Sequence, residues 1–266
     1  MEIRRLVKQI RKHFRILVDG VGPSAIQGRF IGPKVLINSI PKAGTNLLQE
    51  LILLLPLMRG CVRRTLTLRK GSEWLVNELS SLKKGQCAGA HVSYDAAVDK
   101  AIRENGISHV LIVRDFRDVI YSYIHYLHAL HKSHPHNTVF GGLSTLDEKI
   151  QACLSSRPEI GMMAWPEMIS RYRQWLSAGD ILVVRYENLI NQDSKIAEAE
   201  IHRIIDYLNL MPEIDVSEVR NKMFNSKGLT FNAPGIGKWK KNFNQHQIAV
   251  LNQALGEELM FFGYEI

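Results

Sequence analysis

Four short apolar runs alternate along the chain with segments whose apolar residues recur at helical spacing. The runs cover residues 34–40, 87–92, 108–114 and 180–186, and the helical patterns cover residues 44–55, 95–104, 118–131 and 194–208. The runs are apolar nearly throughout, which is typical of strands buried on both faces of a sheet. This alternation predicts a three-layer α/β fold with a central parallel sheet and right-handed crossovers.

We find no boundary in this pattern, so we expect a single domain over residues 1–266. Residues 132–162 are rich in His, Ser, Gly, Pro and Asn around one short helical pattern, which predicts a long loop or lid. Ligands of open α/β sheets bind at the carboxyl ends of the strands. The polar residues that fall there are Lys42, His91, Arg114 and Tyr186.

The first twenty residues predict a basic amphipathic helix, with apolar positions at Ile3, Leu6, Val7, Ile10, Phe14 and Leu17. Such a helix either lies on an anionic membrane or packs against its own domain. The segment has no apolar core of signal-peptide length. The longest apolar run, residues 47–58, is interrupted by polar residues and a proline and is too short to span a bilayer.

The composition indicates the charge of the binding partner and the redox state of the compartment. The formal net charge is +8, which favours an acidic partner such as a polyanionic cofactor, nucleic acid or a membrane surface. Cys61, Cys87 and Cys153 have neither paired nor metal-like spacing. An odd, sparse set of cysteines fits a reducing compartment, so we expect a cytoplasmic location.

The first strand leads directly into a loop that resembles a phosphate-binding loop, Pro41-Lys42-Ala43-Gly44-Thr45-Asn46, and then into a helix. A strand, a tight turn and a helix N-terminus present backbone N–H groups and a positive helix end to a phosphate. The nucleoside-triphosphate signature GxxxxGK[ST] is absent, because the Lys precedes the Gly and no Ser or Thr directly follows that Lys. The loop therefore predicts a phosphate ligand that does not depend on a magnesium-binding hydroxyl.

A second polar stretch follows the third strand. The strand ends at Arg114, a helix begins near Asp118, and Ser122 lies one helical turn inside it. The guanidinium and the hydroxyl can converge on one anion. An arginine at a strand end is often only an ion-pair partner. This stretch therefore indicates an anion site only in combination with the loop that contains Lys42.

Together, the loop after the first strand and the R-x7-S element resemble the two cofactor signatures of sulfotransferases that use 3′-phosphoadenosine 5′-phosphosulfate (PAPS). Three further elements resemble that family in the same order: AHV at 90–92, RYENLI at 185–190 and GIGKWKKNF at 235–243. The resemblance covers about residues 34–264. It implies transfer of a sulfuryl group from PAPS to a hydroxyl or amine of a small-molecule or glycan acceptor, with adenosine 3′,5′-bisphosphate (PAP) as product.

The resemblance also implies roles for individual residues. Lys42 and His91 would be catalytic, the lysine neutralising charge on the leaving phosphate oxygen and the histidine deprotonating the acceptor. The 5′-phosphosulfate would be held by Lys42, Ala43, Gly44, Thr45 and Asn46. Arg114 and Ser122 would hold the 3′-phosphate, and Tyr186 would contact the adenine. No metal is required, because a lysine can neutralise the leaving group directly.

Two departures from the family pattern concern the donor site. Asn46-Leu47 stands where the family usually has Thr-Trp, with the Trp stacking on adenine. Asn232-Ala233-Pro234 stands where an Arg-Lys-Gly clamp usually holds the 3′-phosphate. The candidates to compensate for the clamp are Lys227, Lys238 or Lys240; without such compensation we expect a lower cofactor affinity or a preference for an altered donor.

Several alternatives stay open. His91 is either the general base or a buried structural histidine, Glu50 and Asp95 are reserve bases, and Trp239 is more typical of a core residue than of a ligand contact. A histidine cluster at 125, 128, 131, 134 and 136 indicates either a metal site or a polar, aromatic-rich helix leading to the acceptor pocket. We expect that pocket in residues 59–75 and 125–165, and these motifs leave the acceptor and the oligomeric state open.

Two other classes of function compete with the sulfotransferase hypothesis. A nucleotide kinase-like phosphoryl transferase would need magnesium and a Walker lysine, and the latter is missing here. A basic nucleic-acid-binding or membrane-binding module would rest only on the net charge of +8 and the first helix. We therefore expect an acceptor substrate, rather than nucleic acid, as the partner, with peripheral membrane contact through the first helix as a further option.

Overall fold

The computed structural model describes residues 30–130, 134–210, 214–225 and 235–266, so the helix predicted over residues 1–20 lies outside the described residues. The strands are β1 (Lys34–Ser39), β2 (Gly60–Cys61), β3 (Leu66–Thr67), β4 (Gln86–His91), β5 (Ile107–Val113) and β6 (Ile181–Arg185). The helices before β6 are α1 (Thr45–Leu54), α2 (Ser72–Ser80), α3 (Ala96–Glu104), α4 (Phe116–His125), α5 (Asn137–Phe140), α6 (Leu146–Leu154) and α7 (Trp165–Ser177). After β6 follow α8 (Tyr186–Leu189), α9 (Ser194–Tyr207), α10 (Val216–Asn225), α11 (Lys238–Asn242) and α12 (Gln245–Phe261).

The strands form one parallel sheet in the order β2–β4–β1–β5–β6, with β3 also paired to β4. β1 is central: Val35 pairs with Cys87 of β4 on one side and with Ser108 of β5 on the other. Since consecutive strands of a parallel sheet need crossover connections, helices must cover its faces. The predicted α/β fold with a central parallel sheet is confirmed.

Alternate residues of the strands feed two separate hydrophobic cores, one on each face of the sheet. Leu36 and Leu111 pack into a core with residues from α2, α3, α4, α7 and α12. Val35, Ile37 and Ile112 pack into a second core with residues from α1, α9 and α10. Because side chains of a strand alternate between its two faces, this division gives the predicted three layers.

The interpretation of residues 132–162 as a long loop is wrong for much of that segment. It contains α5, α6 and a 3₁₀ turn, Pro158–Ile160. Thr145 begins α6 with a capping box, in which its hydroxyl accepts the Glu148 N–H and the Glu148 carboxylate accepts the Thr145 N–H. Ile150 and Cys153 of that helix are buried in the core. Tertiary packing therefore stabilises a helix whose periodic pattern is hard to recognise within a polar stretch of sequence.

The helix predicted over residues 118–131 begins earlier and ends earlier. Asp115 caps α4 by accepting the Arg117 N–H, and after His125 the chain continues as a π-helical turn, Tyr126–Leu130. The two-residue strands β2 and β3 were not predicted, because so short a segment shows no period. They place Cys61 opposite Cys87 and Thr67 opposite His91. Among the described helices, none is both long and apolar enough to cross a membrane.

Candidate active site

A cavity of about 730 Å³ opens at the carboxyl ends of β1, β4, β5 and β6. Eight of the nine residues predicted for the site line it: Lys42, Gly44, Thr45, Asn46, His91, Arg114, Ser122 and Tyr186. The ninth, Ala43, has its side chain buried in the core beneath the loop, where it is 1% exposed. The sheet therefore brings together residues from four separate segments of the chain.

The loop between β1 and α1 turns through two residues with left-handed backbone conformation, Lys42 at φ 71° and Gly44 at φ 116°. Only glycine fits at the second position, since a Cβ there would lie 2.7 Å from the ring of Tyr186. Gly44 is the N-cap of α1, and within the described chain no side chain caps that helix. Backbone N–H groups at the start of α1 are thus left to bind an anion.

Lys42 presents a cation whose charge is poorly compensated. Its Nζ lies 4.0 Å from the centroid of the Tyr126 ring. Burial lowers the pKa of Lys42 to about 8, and the positive charge of Arg114 acts in the same direction. The lysine is still mostly protonated at pH 7, and an anion placed beside it would relieve both effects.

His91 at the end of β4 is held in a form suited to accept a proton. Its Nδ1 lies 2.9 Å from the carbonyl oxygen of Ser39. A carbonyl oxygen only accepts, so Nδ1 carries the hydrogen and Nε2 is the unprotonated nitrogen of the neutral ring. Burial lowers the pKa of His91 below its usual value, and the charge of Lys42 contributes in the same direction. The imidazole is therefore neutral at pH 7.

Arg114 is 6% exposed at the end of β5 and lies against the ring of Tyr186, with 4.3 Å between the guanidinium carbon and the ring centroid. Its Nη2 donates to the carbonyl oxygen of Gly235 at 3.1 Å and lies 3.6 Å from the carboxylate of Asp118. Its Nε is buried without a hydrogen-bond partner among the described residues. Arg114 thus retains a donor that an anionic ligand can use.

The late motif, residues 235–243, is attached to α4 by carboxylates. Asp118 accepts the backbone N–H of Gly237 at 2.8 Å and that of Trp239 at 3.0 Å. Asp115 accepts the indole N–H of Trp239 at 3.1 Å. Trp239 is buried in the core, in agreement with the sequence interpretation. These contacts bring Lys238, the residue between Gly237 and Trp239, to the cavity wall.

Comparison with known protein families identifies the family to which the chain belongs. The sulfotransferase domain family matches residues 32–263 of the chain. The chain belongs to the sulfotransferase family. The family and the enzyme class that the motifs predicted are thus confirmed. No curated protein sequence matches the chain closely enough to count as a relative.

Solved structures agree with this family assignment at the level of the fold. A mouse sulfotransferase, SULT7A1, complexed with PAP is 16% identical, with 91% of both chains covered and a TM-score of 0.63. Retinol dehydratase in complex with androsterone and the inactive cofactor PAP is 12% identical, with 95% of this chain and 87% of that one covered and a TM-score of 0.59. A putative steroid sulphotransferase of Arabidopsis thaliana is 16% identical, with coverages of 94% and 83% and a TM-score of 0.54.

The reserve bases of this sulfotransferase lie away from the cavity. Asp95 is the N-cap of α3, where it accepts the N–H groups of Ala97 and Val98. Its second oxygen accepts the Ser72 hydroxyl at 2.6 Å. Neither Asp95 nor Glu50 is among the residues that line the cavity, so His91 is the general-base candidate that the geometry favours.

Of the residues expected to replace the missing clamp, Lys238 lines the cavity. Lys240 does not, and its Nζ instead lies 5.4 Å from the ring centroid of Trp239. Lys227 and the segment 232–234 fall outside the described residues. The structure therefore singles out Lys238 among the described candidates.

Other lining residues come from the two segments predicted to form the acceptor pocket. Thr65, Thr67, Leu68 and Arg69 come from the first segment expected there, and His125, Tyr126, His134, His136, Gly161, Met162, Met163 and Trp165 come from the second. Sequence reasoning missed Ser93, Tyr121, Tyr123, Met168 and Tyr172, of which the two tyrosines of α4 were visible as a local concentration of Tyr.

Only some members of the histidine cluster line the cavity. His125, His134 and His136 line the cavity, His128 does not, and His131 lies outside the described residues. Among the described residues, no group of three or more His, Cys, Asp or Glu side chains is placed to hold a metal ion. Of the three lining histidines, only His125 lies on a helix, whereas His134 and His136 lie in the turn before α5. The prediction of a single polar helix that carries the cluster is therefore correct only for its first member.

Proposed function

We propose that this sulfotransferase transfers a sulfuryl group from PAPS to a hydroxyl or amine of its acceptor and releases PAP. One observation carries the proposal: Lys42, His91, Arg114 and Ser122 face a common cavity. The lining beside the expected donor site includes three basic residues, Lys42, Arg114 and Lys238, and the described lining residues include no Asp or Glu. This set fits a donor that carries several negative charges. The PAP found in SULT7A1 and in retinol dehydratase supports the same donor class.

The donor supplies an activated sulfuryl group on a phosphate oxygen, and the residues of the chain handle the charge and the proton. His91 Nε2 takes the proton of the acceptor hydroxyl while the acceptor oxygen bonds to sulfur. The bond from sulfur to the bridging phosphate oxygen breaks, and that oxygen keeps the electron pair. The Lys42 ammonium group lies at the loop that holds this oxygen and neutralises its growing charge.

Other residues hold the donor in place. The backbone N–H groups of Gly44, Thr45 and Asn46 bind the 5′-phosphate at the N-terminus of α1, whereas the Ala43 N–H donates to the Ile40 carbonyl oxygen within the turn. Arg114 and Ser122 bind the 3′-phosphate, with the unpartnered Arg114 Nε as one available donor. Tyr186 lies beside Arg114 and Gly44, where it can border the adenine. Lys238 supplies part of the charge that the missing Arg-Lys-Gly clamp would carry.

Calorimetric titration with PAP in the presence of a chelator tests the donor assignment. We expect micromolar binding without metal, and transfer of radiolabelled sulfuryl groups from PAPS in an acceptor screen. Lys42→Ala should lower turnover about 100-fold or more with a smaller loss of PAP affinity, because the lysine acts mainly on charge that develops in the transition state. Binding of magnesium–ATP with phosphoryl transfer, or binding of duplex DNA that PAP does not displace, would overturn the proposal.

A further inference from the structure

The expected acceptor end of the cavity carries a cation, Arg69, whose charge no described residue neutralises. It belongs to the 3₁₀ turn Leu68–Lys70, which directly follows β3. Two other basic residues of this segment have partners, since Arg64 forms an ion pair with Glu78 and Lys70 lies 4.9 Å from the ring centroid of Trp74. Arg69 makes no ion pair or hydrogen bond with any described residue, although it lines the cavity.

The position of Arg69 relative to the general-base candidate follows from the sheet. Thr67 of β3 is the direct partner of His91 on β4, and Arg69 comes two residues later. Its charge also acts on Tyr123 and His136. Burial lowers the pKa of His136 to about 4, and the charges of His134 and Arg69 contribute in the same direction. Arg69 and His91 therefore border the same part of the cavity.

The charge of Arg69 serves a different end of the cavity from the donor-site cations. Lys42 and Arg114 follow β1 and β5, and Lys238 is attached to α4 through the late motif. Arg69 instead lies on the β3 side, beyond His91. A guanidinium is always charged and matches the two oxygens of a carboxylate. With no acidic residue among the described lining residues, the natural counter-ion of Arg69 is carried by the ligand.

The cavity that Arg69 lines suits an apolar body as well as an anion. Met162, Met163, Trp165 and Met168 line the same cavity. The ring of Trp165 packs edge to face against Tyr123, with 5.0 Å between the ring centroids. Thioether and aromatic side chains adapt to apolar groups of varied shape. The cavity thus combines an apolar wall, a proton acceptor and a separate cation.

We propose that the acceptor is an amphiphilic anion: an apolar molecule with a hydroxyl or amine that is sulfated at His91 and a carboxylate, or a similar anionic group, that Arg69 binds. This inference rests on the proposed function and names its substrate class. The anionic group stays chemically unchanged while the hydroxyl or amine loses its proton to His91 and bonds to sulfur.

Three phenols that differ mainly in charge test the proposal: 3-(4-hydroxyphenyl)propanoate, the neutral 3-(4-hydroxyphenyl)propanamide and the cation tyramine. We expect kcat/KM to be about tenfold higher for the propanoate than for the amide, and lowest for tyramine. The preference should weaken as salt is added, because Arg69 is exposed to solvent. Equal rates for propanoate and amide would overturn the proposal.

Substitutions of Arg69 identify the residue responsible. Arg69→Gln should remove the preference for the propanoate while keeping the rate with the amide, Arg69→Lys should restore part of the preference, and Arg69→Glu should favour tyramine. Arg63→Gln is the matched control, since Arg63 is exposed on the same segment and does not line the cavity. An Arg69→Gln variant that keeps the full preference, or an Arg63→Gln variant that loses it, would contradict the assignment.

Binding of the three phenols, followed by the fluorescence of the enzyme with and without PAP, separates this inference from the proposed function. Tighter binding of the propanoate that depends on Arg69 supports the inference even if no sulfation occurs. Sulfation and PAP binding without any charge preference would leave the proposed function standing and reject the inference.

Discussion

The buried carboxylate of Asp118 accepts the backbone N–H of Trp239 at 3.0 Å, across 121 positions of the chain. Its other oxygen accepts the Gly237 N–H and lies 3.6 Å from Arg114. One side chain therefore connects the R-x7-S helix, the arginine at the end of β5 and the late motif. This contact gives a physical reason why two stretches so far apart in sequence belong to one donor site.

Asp118→Asn should destabilise the protein by about 2–3 kcal/mol, because one acceptor for a buried N–H is lost and Arg114 loses its counter-charge. Urea denaturation measures this effect, and PAP affinity should fall with it because Lys238 and Gly235 shift. Asp206→Asn, at an exposed position of α9, is the control and should change stability by less than about 0.5 kcal/mol. Equal effects at the two positions would contradict this role of Asp118.

Gly44→Ala should destabilise the loop for two separable reasons. The left-handed backbone costs about 1–2 kcal/mol for a residue with a Cβ, and contact of that Cβ with the Tyr186 ring adds about 1–3 kcal/mol. Gly106→Ala isolates the first term, since Gly106 also has positive φ, at 58°, but has open space around it. Thermal denaturation should show a clearly larger loss for Gly44→Ala, whereas equal losses would mean that Tyr186 moves aside.

The dependence of kcat/KM on pH should be bell-shaped. His91 must be neutral to accept a proton, so activity rises as pH increases through its pKa, which burial holds below the usual 6.5. Lys42 must be protonated, so activity falls as pH rises through its pKa of about 8. Lys42→Arg should move the alkaline limb to higher pH, because a guanidinium stays charged. An alkaline limb that stays in place would mean that another group causes it.

Arg114→Ala should remove most of the preference for nucleotides with a 3′-phosphate. A bidentate charged contact contributes about 1.5–3 kcal/mol, so the ratio of affinities for PAP and AMP should fall about 10- to 150-fold. Calorimetry with both nucleotides measures this ratio. If the variant kept the full ratio, the 3′-phosphate would be held by residues of the late motif instead.

Lys238→Gln should weaken PAP binding several-fold, whereas Lys240→Gln in the same short helix should change it less than about twofold. The reason is position: Lys238 lines the cavity, and Lys240 lies over the ring of Trp239. The same titration, run at two salt concentrations, should show a smaller salt dependence for the Lys238 variant alone. Equal losses for both lysines would indicate only a general effect of charge.

The sequence alone determined the features that are local in the chain. The strand, loop and helix around Lys42 follow one another without interruption, and Arg114 and Ser122 are spaced by a single helix start. In a parallel sheet all strands end at the same edge, so the meeting of Lys42, His91 and Arg114 could be predicted without knowing the strand order. Membership of the sulfotransferase family follows from the same motifs.

The tertiary structure decided which side chains from distant segments face the cavity, and therefore which charged groups line it. The placement of Arg69 depends on β3, a two-residue strand without a readable period, and the exposure of Lys238 depends on the carboxylate of Asp118. Cys61 and Cys87, unpaired by spacing, lie opposite each other because β2 joins the edge of the sheet beside β4. Such contacts arise from strand order and crossover paths, which involve many weak contacts between distant segments and leave no pattern in any short stretch of sequence.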